Sequence, residues 1–428
     1  MSTPVIGFAG MTHLGFVSAV AAAERGAEVV CYDPDASLIE DLGKGHIPVV
    51  EPDLRECLAR NEPKITFTSS AMDLNDCHVV YVAPDVMTDD RGKSDLTVLN
   101  DLFSLVDAKL PNDSVMVILS QVPPGFTRLR NSGSRPLYYQ VETLIFGAAL
   151  DRALNPERII VGCNNADGPL SGKYAAFLRL FDCPILPMRY ESAELAKISI
   201  NCCLAAQISV ANTLAEICEN IGADWSEIVP ALRLDARIGE KAYLTPGLGI
   251  SGGNLERDLA TVIAIGEEQQ THVDVIQAAV SNSLYRKDWA GRTLQAEVLD
   301  KLPEPVIAIW GLTYKENTHS TKNAPSLRVI DRFNNCSFQV HDPVVDGNAL
   351  GRRNVCGFED PLQAVAGADC LMILSPWQDY QSIPFDRAAA AMGQRLLIDP
   401  YGIVDAGQAR NLGFQHHTLG KPSLISNT

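Results

Sequence analysis

The 428-residue chain reads as an α/β protein, two doubly wound parallel-sheet domains joined by a long central helix. Three observations predict this. Near the N-terminus a short apolar strand breaks into a glycine turn, a helical run and a second strand that ends on an acidic residue. From residue 306 onward, buried strands again alternate with helical stretches. Between these regions, Glu191 to about Gly222 has the periodicity of one amphipathic helix. The predicted boundaries are 1–190, 191–300 and 301–428.

Composition narrows the function. Hydrophobic content of 46% and charged content of 20% suit a soluble globular enzyme. A net charge of −17, with pI ≈ 4.9, argues against a general binder of nucleic acid or anionic membrane. An anionic ligand must then be held by a local cluster of donors. No apolar run approaches 18 residues and MSTPVIGFAG leads straight into a strand, so neither signal peptide nor membrane span is expected. Eleven cysteines, odd in number and without a C-x-x-C pair, fit reduced core thiols in a cytoplasmic protein rather than disulfides or a metal site.

The first strand is VIGFAGM (5–11), which contains Gly7. It breaks into Gly10-Met11-Thr12-His13-Leu14-Gly15, then the helical FVSAVAAAERG and the strand VVCYD, ending at Asp33, 23 positions after Gly10. That spacing suits a dinucleotide fold, with pyrophosphate on the helix N-terminus and the carboxylate on the ribose hydroxyls. Thr12 stands where the fingerprint has its middle glycine; its Cβ narrows the approach, although its hydroxyl can donate. Pro34 and Asp35 follow, with no arginine to take a 2′-phosphate, which favours NAD over NADP. HVVYVAPD (78–85) is a buried strand with a polar end beyond Pro84, and SVMVILS (114–120) runs into Gln121-Val122-Pro123-Pro124-Gly125-Phe126-Thr127.

On the long helix, Lys197 and Asn201 stand at i and i+4 on one face, among Ile198, Ile200 and Leu204. Cys202 and Cys203 are rotated roughly 100° and 200° from Asn201, positions that suit packing. Glycines 247, 249, 252 and 253 make Pro246–Asp258 a loop able to turn through φ > 0 and approach a ligand closely. On composition alone that loop is only the start of a helical run to about residue 300. Leu302-Pro303-Glu304-Pro305 marks a linker, followed by buried strands at 306–312, 338–343, 370–376 and 396–400. The terminal HHTLGKPSLISNT reads as a polar, mobile tail.

Several stretches, in order along nearly the whole chain, resemble the UDP-glucose/GDP-mannose dehydrogenase family. The 246–258 loop resembles its catalytic G-F-G-G-S-C-F-x-K-D: Gly249, Gly252 and Asp258 match, Arg257 stands for Lys, and Asn254 falls on the nucleophilic cysteine. Gln121 to Thr127 resembles S-T-V-P-x-G-T-T, with Gln121 replacing a threonine credited with ordering the catalytic water. Residues 138–147 resemble N-P-E-F-L-R-E-G and keep Glu142 and Gly147. Lys197 and Asn201 fall on E-L-x-K-x-x-x-N, Arg237 on D-x-R-I-G and Lys315 on G-L-x-F-K-x-x-T, and Lys322 replaces an arginine.

The resemblance implies Rossmann-like domains, a homodimer paired through the long helix, NAD as cofactor and a nucleotide-sugar substrate. It implies cofactor contacts at Gly7, Gly10, Thr12, His13, Leu14, Gly15, Asp33, Pro84, Gln121 and Lys322. Substrate contacts would fall at Leu144, Arg237, Gly249, Gly252 and Lys315, and catalytic roles at Glu142, Lys197, Asn201, Asn254 and Asp258. The lost cysteine and threonine serve mainly the family's second oxidation, so a two-electron oxidation, or its reverse, is expected. A four-electron oxidation of UDP-glucose to UDP-glucuronate by way of an aldehyde hydrate, and a non-catalytic binder, stay open.

Overall fold

The computed structural model describes residues 4–47, 49–89, 93–250 and 254–422. A first compact unit runs to Ile200 and a second begins at Asn201. The strands of the first, most of them rich in β-branched and aromatic residues, are β1 (Val5–Ala9), β2 (Glu28–Tyr32), β3 (Ile65–Thr68), β4 (Val79–Val82), β5 (Met87–Thr88), β6 (Ser94–Asp95), β7 (Val115–Ile118), β8 (Leu137–Gln140), β9 (Ile159–Cys163) and β10 (Ile185–Arg189). β5 and β6 form a small antiparallel ladder. The others make one sheet in the order β10-β9-β8-β7-β4-β1-β2-β3. Its neighbours run parallel except β8 and β9.

The winding direction reverses between β1 and β4, and in doubly wound sheets ligands settle at the C-terminal ends of the strands flanking such a switch. The turn after β1 and the Pro84-Asp85 end of β4 therefore share one crevice. Gly10, at φ +96°, lies so close to Pro84 that a Cβ would sit 2.8 Å from its nitrogen. A Cβ on Gly15, in the first turn of the His13–Glu24 helix, would lie 1.9 Å from the Gly10 carbonyl oxygen. The small residues Ala19, Ala21, Ala22 and Ala23 let that helix bury closely on the sheet.

The second unit carries helices at Trp225–Leu234, Asn254–Glu268, Asp274–Lys287 and Trp289–Leu294 before its own sheet. The strands are β11 (Val306–Trp310), β12 (Ser337–His341), β13 (Val355–Gly357), β14 (Cys370–Ile373), β15 (Leu396–Ile398) and β16 (Gln415–His417), in the order β13-β12-β11-β14-β15-β16. Every pair is parallel. Ile307, Ile309, Phe338 and Val340 fill one face and Ala308, Trp310, Leu371 and Ile373 the other, as a sheet covered on both sides requires.

Three expectations need correction. The terminal HHTLG segment is part of the fold: β16 completes the sheet, His416 lies 3.6 Å from Asp399 and His417 3.9 Å from Glu297. His416 and His417 hydrogen-bond to Thr418 and Gln415, and such polar pairs leave no apolar signature in sequence. Residues 423–428 of the expected tail lie outside the described residues. Cys203 is exposed, so packing does not explain it. The helix Tyr190–Ile221 is long and apolar enough, by length and composition, to cross a membrane. Its buried Glu194, Asn201 and Asn212 nonetheless bond to protein partners, as in a helix packed within a fold.

The Gly15 contact sets a stability prediction. Gly15→Ala should cost about 3 kcal/mol or more in a denaturant melt, because the group it would strike, the Gly10 carbonyl, is backbone and cannot swing away. Gly43→Ala, on an open helix end, should stay within about 1 kcal/mol of the parent.

Candidate active site

At the switch point the chain turns from β1 through Gly10 and Met11 to Thr12, which precedes the helix with an extended φ of −80° and ψ of −172°. Asp33 stands just past β2 and ties this turn down: Oδ2 accepts from the Met11 amide at 2.8 Å and Oδ1 from the Asp35 amide at 3.0 Å. The first helical amides, His13 and Leu14, donate to the Asp85 carboxylate at 3.0 and 3.3 Å. The Asp85 amide in turn donates to Thr12 Oγ1 at 2.7 Å. Burial pushes the Asp85 carboxyl above its ordinary range, opposed by His13, these amides and the Thr12 hydroxyl.

The tight glycine turn, the helix-end amides and a carboxylate beyond β2 fit a dinucleotide. His13 directs its ring elsewhere, with Nε2 2.9 Å from Glu51 and the imidazole 4.4 Å from the Phe146 ring. Glu51 also accepts from the Gly147 and Ala149 amides, at 2.9 and 3.0 Å. Leu14 adds a core side chain and Gln121 is buried just after β7. Gly7 lies inside β1, where a Cβ would meet Leu74 at 2.8 Å; the structure gives it a packing role.

Within the same unit, Lys197 Nζ lies 2.8 Å from Glu142 Oε1, with both side chains mostly buried. The Leu144 amide holds the other Glu142 oxygen at 2.9 Å. One turn before Lys197 on the helix, Glu194 accepts from the Gly125 and Thr127 amides at 2.6 and 2.8 Å, fixing the turn that follows Gln121.

In the second unit, Asn201 donates to Asp258 Oδ2 at 2.5 Å, and Arg257 Nε to Oδ1 at 3.1 Å. Asp258 is 1% exposed. It sits in the first turns of the Asn254–Glu268 helix, whose opening residue, Asn254, is exposed. Gly249 takes φ +73° and lies against the Asp274–Lys287 helix, where a Cβ would meet the Ser283 carbonyl at 2.4 Å. The Gly247 amide reaches Asn212 and that of Ile250 reaches Ser283 Oγ, each at 2.8 Å. Gly252 lies outside the described residues.

Burial pushes the Cys202 thiol up to about 11, with the Asp258 charge adding to the effect. Arg237 is 90% exposed at its side chain and pairs with Asp235 at 2.6 Å, a surface ion pair in this structure. Lys315 and Lys322 lie in the turn after β11; the Lys315 ammonium is 5.8 Å from the Tyr314 ring centroid. Sequence reasoning missed Asp85, Glu51, Glu194 and Glu256. Glu256 holds Lys287 at 2.5 Å and Asn323 at 2.8 Å. For Asp85 a signal existed, since it is the polar end of a buried strand beside the dinucleotide turn.

Sequence profiles of the UDP-glucose/GDP-mannose dehydrogenase family match along the chain: its NAD binding domain at residues 4–169, its central domain at 191–283 and its UDP binding domain at 308–406. The UDP-glucose 6-dehydrogenase of Rhizobium meliloti (strain 1021) is 29% identical over 437 residues, covering 96% of this chain and 98% of that protein. UDP-glucose 6-dehydrogenase TuaD of Bacillus subtilis (strain 168) is 28% identical, covering 97% and 93%. Among solved structures, a UDP-glucose dehydrogenase from the archaeon Pyrobaculum islandicum superposes with a TM-score of 0.81 at 26% identity, covering 93% of this chain and 94% of that one. With the crevice at the switch point and matches to all three domains, the chain belongs to the UDP-glucose/GDP-mannose dehydrogenase family and is an NAD-dependent nucleotide-sugar dehydrogenase.

Proposed function

We propose that this enzyme carries out a single two-electron oxidation of a nucleotide-activated sugar, or the reverse reduction, and stops at an aldehyde or ketone. What supports this reading is the loop at 246–258, whose resemblance to the family's catalytic motif puts Asn254 at the position of the thiol nucleophile. Taking an aldehyde on to an acid by that route requires a covalent adduct from which a second hydride leaves, and an amide is not nucleophilic at neutral pH. Cys202 is no substitute, because burial keeps it a thiol under those conditions.

NAD, when bound, supplies the hydride acceptor. Lys197, fixed by Glu142, sets positive charge against the alkoxide that develops on the sugar carbon. Asn201 and Asp258, which bond to each other with Arg257 on the second Asp258 oxygen, fix the geometry. Asn254 donates its N–H to the carbonyl product. Gly249, Leu144, Arg237 and Lys315 are the proposed substrate contacts, together with Gly252. UDP-glucose is the first substrate to try, since the relatives are named for it. The free thiols favour a cytoplasmic protein. Leu195, Val210, Leu214, Ile217 and Ile221, exposed along the long helix, favour a homodimer through that face.

Three measurements check this reading. Product analysis should give one NADH per sugar, and two NADH with a uronic acid would overturn the role given to Asn254. Lys197→Ala should lower turnover about a hundredfold or more while leaving the calorimetric Kd for NAD within about twofold. Light scattering at micromolar protein should return about twice the 46.4 kDa chain mass.

A further inference from the structure

The one departure from the dinucleotide fingerprint meets a carboxylate-bearing residue from the end of β4. Thr12 replaces the middle glycine, and its hydroxyl oxygen accepts the Asp85 amide at 2.7 Å. Asp85 arrives from the far side of the switch point, at the end of β4, and takes the His13 and Leu14 amides at 3.0 and 3.3 Å. Those amides open the helix after β1, where a dinucleotide's pyrophosphate is expected to rest. They are the unpaired donors that make a helix start attractive to an anion. Here an internal carboxylate already holds them. The geometry is reciprocal: one backbone donor runs from the β4 end to Thr12, and two run back from the helix to Asp85.

We infer that Thr12 and Asp85 form a latch standing in for the cofactor's pyrophosphate, so that NAD binds only when the Asp85 carboxylate gives up the His13 and Leu14 amides. Asp85 thus sets cofactor affinity by competition and by charge repulsion. Thr12 holds the β4 end in place to do so. A glycine at 12 would remove both the hydroxyl anchor and the Cβ that narrows the crevice. The inference concerns the cofactor alone and stands whether the enzyme removes one hydride or two.

The test is isothermal titration of the full chain with NAD, ADP-ribose and adenosine, with thermal melts to confirm folding. Asp85→Ala should tighten NAD and ADP-ribose about tenfold, the scale of one charge-assisted hydrogen bond recovered, and leave adenosine unchanged. Thr12→Gly should shift both in the same direction by a smaller factor. If Asp85→Ala does not fold, Asp85→Asn keeps the acceptor oxygen and shape while removing the charge, and should tighten NAD about threefold or more. Unchanged or weaker NAD binding in the folded variants would overturn the latch. So would an equal gain for adenosine, which lacks the pyrophosphate.

Discussion

Backbone amides exposed where a strand hands over to a helix must find acceptors, and in this chain carboxylates provide them. Asp33 takes Met11, Asp85 takes His13 and Leu14, Glu51 takes Gly147 and Ala149, and Glu194 takes Gly125 and Thr127. Each buried amide left open would cost about 1–3 kcal/mol, so these side chains fix the turns on which the candidate residues ride. The second unit repeats the device. Gly311 takes φ +95°, and the Leu312 and Thr313 amides donate to Asp342, just past β12, at 2.7 and 3.2 Å. Part of the acidic balance is thus spent inside the protein, on its own backbone.

The alternating strands, the long helix and the glycine turn could be read from sequence because each carries a period or a spacing. Gly10, Gly15 and Asp33 were legible because their separation reflects one strand–helix–strand unit. Helical spacing put Lys197 and Asn201 on one face, and the resemblance singled out Glu142 and Asp258, but which pairs with which was not legible. Glu142 lies 55 positions from Lys197 and Asp258 lies 57 from Asn201, separations that no local pattern encodes. β16 escaped because it is built of polar residues whose buried imidazoles hydrogen-bond to Thr418 and Gln415, with no apolar run to mark it. Gly7 drew attention as a motif glycine, yet Leu74 fills the space its missing side chain leaves.

Asn254 and Asp258 share one helix but not one environment. Asp258 is enclosed and ties Arg257 and Asn201 together, so its position is set by packing. Asn254 is exposed at the helix start, where a change of residue disturbs few neighbours. Residue 254 can therefore vary with little effect on the contacts that hold Asp258. A chain about 29% identical to a UDP-glucose 6-dehydrogenase thus keeps the family's three domains.

β16 pairs with β15, whose Leu396, Leu397 and Ile398 are all apolar and buried. Proteolytic trimming that reached Gln415 would uncover this row of N–H and C=O groups beside a greasy strand. Such an edge is a template for pairing between molecules, and the trimmed protein would be prone to aggregate. The three residues that look least like core in the sequence therefore protect solubility as well as completing a sheet.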